Sequence, residues 1–589
     1  MDIYYNRDKY LSEFSIKTLK DRYLLKHEVS PQDAFARAAT AFSDDEDHAQ
    51  RLYDYASKLW FMFSTPVLSN GGTKRGMPIS CFLNHVEDSR GGITSHYTEN
   101  AFLSSVGGGI GGNWGKVRGV GSSTSNGSES TGVIPFLKVV DGEMLAFSQG
   151  ITRRGSYAAY LDISHPEVEE FLDIRKPTGG DINRKSTNLH HAIVITDDFM
   201  ELIERATREE HFDDSWDLID PHSGEVVKTV AAKTLWVKLI QNRVETGEPY
   251  IMFKDTVDKG LPEFQRKLGL EIHHSNLCSE ITLPTDKDRT AVCCLSSVNL
   301  EEYDEWKNNE LFIPDLIRML DNVLDHFIHN APPELHRAVY SARQERSLGL
   351  GAMGFHAYLQ RHSIPFESVS AKVRNKNMFR EIKERANEAT KLLAKERGEC
   401  PDGIGYGIRN SNLLAIAPNA SSSIICGNTS PSIEPYRANA FVQKTKTGSS
   451  LLKNEYLEHC LDEIGMNTAD IWQNIIIHDG SVQHLEFLDQ DTKDIFKTGV
   501  ELDQRWLVEF AADRQEYICQ SQSLNLFFPA DVSKQELHAV HMMAWKKGVK
   551  TLYYLRSEAI KRADKVSDEV LRQYIFDSIS DETCLACEG

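Results

Sequence analysis

Ser275-Asn276-Leu277-Cys278-Ser279-Glu280 runs directly into the strand-like stretch Ile281-Thr282-Leu283-Pro284. Side chains alternate faces along an extended segment, so Asn276, Cys278 and Glu280 are expected on one side. An amide, a thiol and a carboxylate on one face make a small reaction centre. On these residues alone a plainer account serves as well, with Cys278 a small buried hydrophobe and Glu280 a solvated edge charge. The rest of the chain decides between the two.

At about 100 to 200 residues per domain, 589 residues predict roughly two to four domains, unless one large barrel takes most of the length. A hydrophobic fraction of 40% and a charged fraction of 26% are ordinary for a globular enzyme. No apolar run approaches a membrane span, and the start Met1-Asp2-Ile3-Tyr4-Tyr5-Asn6-Arg7 lacks a signal-peptide pattern, so a cytoplasmic chain without membrane contact is expected. A net charge of −20, from 66 basic and 86 acidic residues, argues against a nucleic-acid backbone as partner. Small phosphorylated ligands stay open, because they need only a local pocket of donors. Ten cysteines are too few for a disulfide scaffold, and in a reducing compartment they point to redox or catalytic use.

Helical and strand-like stretches alternate. The periodicity predicts a helix from Pro31 to Phe63, others over Ile317 to Phe327 and Met378 to Leu393, and short buried strands at Ala192–Ile195, Leu413–Ile416 and Leu524–Phe528. Ser533 and Glu536 have capping-box spacing ahead of a helix that Gly548 stops, and the strand Val549 to Tyr554 follows. This alternation predicts an α/β architecture. After Lys565 the chain reads as a polar helix and a tail ending Cys584-Leu585-Ala586-Cys587-Glu588-Gly589. That Cys-x-x-Cys is either half a zinc site, for which no second pair exists, or a dithiol shuttle, which fits a terminal tail better.

Three loops could hold phosphate. Gly107-Gly108-Gly109-Ile110-Gly111-Gly112 satisfies G-x-G-x-x-G but lacks the strand and helix context of a dinucleotide fingerprint; it reads as the approach to a long loop carrying Lys116 and Arg118. Ser148 to Ser156 includes Arg153 and Arg154, and Pro418-Asn419-Ala420-Ser421-Ser422-Ser423 offers three consecutive hydroxyls with backbone N–H groups. Each alone is an ordinary polar turn.

Taken together, the chain resembles the large, catalytic subunit of a class I ribonucleotide reductase. The resemblance is carried by Ser275–Glu280, Ser64-Thr65-Pro66, Ser80-Cys81, Cys293-Cys294-Leu295-Ser296, Pro418–Ser423, Asn428–Pro435, Lys550–Tyr554 and the terminal dithiol, all in the family's order. It implies a ten-stranded α/β barrel of two five-stranded halves with a central finger hairpin, over residues 71–560. A helical region at 1–70 would precede it, and a C-terminal helix and redox tail at 561–589 would follow.

The resemblance also implies roles. Cys278 would carry a thiyl radical, Glu280 would act as base on the ribose 3'-hydroxyl, and Asn276 would hold substrate and base. Cys81 and Cys293 would be the reducing pair, with Cys294 as competitor for the second place. Tyr553 and Tyr554 would relay the radical, and Cys584 and Cys587 would reset the disulfide. Thr65, Ser80, Ser421, Ser422 and Ser423 would hold substrate phosphates, and Asp88, Ser89, Lys116, Arg118, Arg153 and Arg154 would hold an effector, a deoxynucleoside triphosphate or ATP. No cofactor or metal is expected on this chain, since the radical would come from the metal cofactor of a radical-generating small subunit. Thioredoxin or glutaredoxin, a homodimer and a ribonucleoside diphosphate substrate complete the expected partners.

Cys81 lies too near the start for the family's N-terminal ATP-binding cone, so inhibition by dATP through a cone is expected to be absent. Two adjacent tyrosines on one path also require a local departure from strand geometry, because a regular strand would turn them to opposite faces. A cobalamin-dependent reductase, which needs no such relay, and a non-catalytic nucleotide-binding paralogue are the alternative readings.

Overall fold

A computed structural model describes residues 1–149, 153–445 and 448–557. Five parallel strands make one half of a barrel: β1 (Cys81–His85), β2 (Gly109–Asn113), β3 (Ser156–Asp162), β4 (His190–Ile195) and β5 (Tyr250–Phe253), each bonded to the next. They are buried almost end to end, as parallel strands covered on both faces must be.

The second half starts with β6 (Ala291–Asn299) and the parallel β7 (Leu348–Met353). Residues 413–416 come next, joined to their neighbours by isolated bridges, Leu350 with Leu414 and Ile416 with Gln522, and by backbone bonds such as Ala415 N–H to Leu350 O and Ile416 N–H to Ser521 O. The last two members are the stretch that leads into β8 (Leu526–Phe528) and the broken strand β9 (Thr551–Leu552) plus β10 (Leu555–Ser557), with β8 parallel to β10. Two antiparallel seams close the ring, β1 on β6 and β5 on β9. The expected ten-stranded barrel of two five-stranded halves is present.

Parallel neighbours require long crossovers, which here are helical. Phe312–Asn330, buried along one side, links β6 to β7, and the 29-residue helix Val369–Arg397 packs against it before Gly398 ends it. At the N-terminus the expected single helix from Pro31 to Phe63 is two helices and a strand. Pro31–Ala41 is capped by a Ser30/Asp33 box, Glu46–Ser57 is capped by Asp45, and Phe61–Phe63 pairs antiparallel with β6. The apolar period ran through the break because both helices bury their stripes in one core, through Phe35, Ala38 and Ala39 on one and Leu52 and Ala56 on the other. Among the described residues no helix is long and apolar enough to cross a membrane.

Between β5 and β6 the chain sends a finger through the barrel. Thr285 N–H reaches Glu271 O at 3.3 Å, and nearer the tip Ser275 Oγ donates to Ile281 O at 2.6 Å. The glycine-rich stretch, expected to be the approach to a loop, is largely β2, and its Gly111 makes room for this finger. A Cβ on Gly111 would lie 2.1 Å from Ser275 O and 2.8 Å from Asn276 Cα.

Candidate active site

The finger's tip is a turn and not the extended segment expected. Ser279 N–H bonds Asn276 O at 3.3 Å and Ser279 sits at φ 68°, a left-handed conformation that a strand does not contain. The tip is stitched to both halves of the barrel. Tyr160 of β3 donates to Asn276 O at 2.7 Å, Thr551 Oγ1 to Ser279 O at 2.7 Å, and Ser521 N–H to Glu280 O at 2.9 Å. Asn276 folds its Oδ1 back onto Ile281 N–H at 3.1 Å, which leaves its buried Nδ2 with no hydrogen-bond partner among the described residues. Cys278 and Glu280 are both fully buried, and Ser523 Oγ touches Cys278 O at 2.5 Å and Glu280 Oε2 at 3.1 Å. Asn276, Cys278 and Glu280 are carried by a tight turn instead of an extended strand.

On the other flank of Glu280 stands Cys81, its Sγ 4.0 Å from Oε1. Cys81 faces Cys293 directly across the β1–β6 seam, and neither is in a disulfide. Facing residues of an antiparallel pair hold their Cα atoms about 4.5–5.5 Å apart, inside the range of about 4.4–6.8 Å that a disulfide accepts. The two thiols can therefore bond without moving the backbone. Burial pushes the Cys293 thiol well above its ordinary pKa, and Gln520 Nε2 lies 3.4 Å from its sulfur. Gln520 Oε1 also accepts Thr282 N–H from the finger at 3.2 Å, while Lys550, pushed down to about 8 by burial, donates to Gln520 O at 2.8 Å. Cys294 points the other way, to Leu320 O at 3.3 Å in the crossover helix. Of the two adjacent cysteines only Cys293 faces Cys81.

Tyr553 OH is 3.3 Å from Cys278 Sγ, and the Tyr553 and Tyr554 ring centres are 4.3 Å apart. The strand breaks between β9 and β10 at these two residues, the departure that a shared path requires. Tyr250 of β5 packs at 4.7 Å and 5.0 Å from the same two rings, and Tyr554 OH continues to His190 Nδ1 at 3.2 Å. A cavity of about 680 Å3 opens beside them, lined by Cys278, Asn525, Tyr553, Tyr554, Ala420 and Ser423. That volume suits a nucleotide-sized ligand.

Two short helices are pinned to β6, and the start of the second lines this cavity. Thr65–Asn70 starts at Ser64, whose N–H bonds Ser296 Oγ at 3.4 Å, and Ala420–Ile425 starts at Asn419, whose Nδ2 bonds Ser297 Oγ at 2.9 Å. Both starts are thus pinned to neighbouring residues of β6. The buried hydroxyls of Ser64 and Ser422 have no partner among the described residues, while Thr65 Oγ1 is engaged with Tyr23 OH at 3.0 Å. Ser421 and Ser423 are buried on either side of Ser422, and Ser80 is buried just before β1, its carbonyl accepting Gly109 N–H at the start of β2.

Asp88 and Arg118 meet in an ion pair, Nε to Oδ2 2.9 Å, and Ser89 caps the helix Arg90–Ser105. Lys116 is exposed two residues before Arg118. Arg153 and Arg154 form a two-residue ladder with Ser148 and Gln149, the residues between them lying outside the described chain. Cys584, Cys587 and the expected C-terminal helix also lie outside it.

Sequence reading missed Ser523, Gln520, Tyr250 and Ser64 as members of this site. Its one usable signal was the polar run Gln520-Ser521-Gln522-Ser523 set directly before the apolar Leu524–Phe528. Polar residues buried beside a core strand must have partners, and Gln520, Ser521 and Ser523 have theirs in the finger, while Gln522 is held by Arg514 and Ala511.

The family description "Ribonucleotide reductase, barrel domain" matches residues 79–403 and 402–555, and "Ribonucleotide reductase, all-alpha domain" matches residues 9–76. A chain of Frog virus 3 (isolate Goorha) is 49% identical over 544 residues, 92% of each chain. The ribonucleoside-diphosphate reductase large subunit of Invertebrate iridescent virus 3 is 45% identical over 635 aligned positions, covering 99% of both chains. Among solved structures, the Actinobacillus ureae class Id ribonucleotide reductase alpha subunit superposes with a TM-score of 0.82 at 35% identity, covering 93% of this chain and 97% of its own. With both domain descriptions matched and such relatives aligned over nearly its whole length, the chain belongs to the ribonucleotide reductase large-subunit family.

Proposed function

We propose that this large subunit reduces ribonucleoside diphosphates to 2'-deoxyribonucleoside diphosphates by radical chemistry begun at Cys278. A large subunit implies a small one, and the small subunit's metal-generated radical is the one-electron oxidant. Tyr554 and Tyr553 pass the oxidation inward, and Tyr553 takes the hydrogen atom of Cys278. The Cys278 thiyl removes the 3'-hydrogen atom of the ribose while Glu280 takes the 3'-hydroxyl proton, held with the substrate by Asn276. Cys81 and Cys293 then supply two hydrogens and two electrons, the 2'-hydroxyl leaves as water, and the pair ends as a disulfide. Cys278 returns its hydrogen to C3' and is again a thiyl, while Glu280 gives its proton back to the 3'-oxygen and is again a carboxylate. Cys584 and Cys587 reduce the disulfide by exchange and are reset by thioredoxin or glutaredoxin.

In this reading Ser421, Ser422, Ser423, Thr65 and Ser80 hold the diphosphate. Asp88, Ser89, Lys116, Arg118, Arg153 and Arg154 hold a deoxynucleoside triphosphate or ATP, and the working unit is a cytoplasmic homodimer joined by the small subunit. The observation that carries the reading is the 3.3 Å contact between Tyr553 OH and Cys278 Sγ, with Cys81 facing Cys293 just beyond Glu280. A cobalamin-dependent enzyme would have no use for that contact.

The test is reduction of a ribonucleoside diphosphate by the full chain with its small subunit. The double variant Cys584→Ser, Cys587→Ser is expected to lose turnover with thioredoxin and keep it with a small dithiol, whereas Cys278→Ser loses both. Should Cys278→Ser be rescued by the small dithiol, the radical is carried elsewhere. A Tyr553→Phe enzyme at full activity would favour the cobalamin reading.

A further inference from the structure

Three consecutive carbonyls at the finger's tip are each received by the second half of the barrel. Cys278 O takes Ser523 Oγ, Ser279 O takes Thr551 Oγ1, and Glu280 O takes Ser521 N–H. Ser523 differs from the other two because its hydroxyl touches a second acceptor, Glu280 Oε2 at 3.1 Å. It is fully buried, and its own N–H is used on Ile416 O at 2.9 Å.

A serine hydroxyl has one proton to give, and an ionised carboxylate can only accept. At 2.5 Å the carbonyl of Cys278 holds that proton more closely than Oε2 does at 3.1 Å. While Glu280 is ionised, two acceptors compete for one donor. Once Glu280 carries a proton, its O–H can donate to Ser523 Oγ and Ser523 can donate undivided to Cys278 O. The Ser523 proton then goes to one acceptor instead of being shared between two.

We infer that Ser523 is a positioning residue that favours the proton-bearing form of Glu280 and couples that form to the backbone carrying Cys278. This rests on the reading of Glu280 as the base. The 3'-hydroxyl proton that Glu280 takes is the one that completes the chain Glu280–Ser523–Cys278, so base and radical cysteine are held in register at the step where both act. No atom is transferred beyond that proton. Among the described residues, the titratable groups that face Glu280 include Cys81 from β1, Cys293 from β6 and Tyr160 from β3, with Cys278 on its own loop. Burial raises the Cys293 and Tyr160 groups, leaving both neutral in the working range.

The test uses the full chain with its small subunit and compares Ser523→Ala, Ser523→Thr and Ser523→Val, the last two having nearly the same shape with and without the hydroxyl. Loss of a hydrogen bond to an ionisable group predicts a kcat lower by about 10- to 100-fold in Ser523→Ala and Ser523→Val with little change in KM. It also predicts an acidic limb of the kcat–pH profile moved to lower pH, because the protonated carboxyl has lost its acceptor. Ser523→Thr is expected to regain most of the rate and the wild-type limb. Equal losses in Thr and Val, or an unmoved limb in the hydroxyl-free variants, would overturn the inference and leave Ser523 a packing residue; if Ser523→Ala melts early or fails to fold, the Thr and Val pair decides. Glu280→Gln separates the two readings. Retained turnover in Glu280→Gln would remove the base itself, whereas its loss alongside unaffected Ser523 variants would remove only the role of Ser523.

Discussion

At the scale of single residues the site depends on where a side chain is missing as much as on where one is present. Gly111 lets the finger press against β2, and the atoms that a methyl there would strike are backbone, Ser275 O and Asn276 Cα, which cannot rotate away. Gly111→Ala is therefore expected to push the tip off its seat and open the 3.3 Å contact between Tyr553 and Cys278. Misplacing a reacting group by about 1 Å can cost about 10²-fold. Turnover measured beside substrate binding checks this, and an alanine variant with near wild-type rate would mean that β2 does not set the finger's position. Asn276, Cys278 and Glu280 stood out by type and spacing, but their proposed roles came from the resemblance, because the hexapeptide alone allows a plainer account. Their geometry was not legible, because the same residues suit a turn or a strand and only the contacts of Ser279 distinguish them. The glycine run gave no strand signal for a similar reason, since a strand whose Gly111 serves a distant segment carries no local mark of it.

At the scale of elements, strand alternation sorts the adjacent cysteines of β6. Cys293 faces the finger and Cys81, and Cys294 faces the helix Phe312–Asn330. Cys294→Ser is expected to keep reductase activity with thioredoxin within a few-fold, and Cys293→Ser to abolish it, as read in the same steady-state assay. Equal loss in both would mean that the pair exchanges roles. The break at Tyr553 and Tyr554 follows from a change of partner, β9 pairing with β5 and β10 with β8. If two aromatic neighbours serve one path, a break is expected, so it could be anticipated without knowing the partners. The joint between Pro31–Ala41 and Glu46–Ser57 could not, because one core receives both apolar stripes and the period hardly falters.

At the scale of the whole molecule, alternating helical and apolar segments made an α/β fold legible, and the family's motifs in their order made the barrel legible. Closure was not readable from the residues themselves. The member at 413–416 holds its place through isolated bridges and backbone bonds, and the two antiparallel seams join segments far apart in the chain, Cys81 with Cys293 and Ile251 with Leu552. One seam has a mechanical side. If each turnover ends in a bond between Cys81 and Cys293, that bond rivets one half-barrel to the other and closes a loop across 212 positions of sequence. Cross-links of this kind typically add about 2–4 kcal/mol of stability. A melting curve thus becomes a redox gauge, in which spent enzyme unfolds at a higher temperature than enzyme ready to work, and Cys81→Ser abolishes the difference. The stiffest molecules in such a population are the exhausted ones, and resetting the enzyme means loosening it.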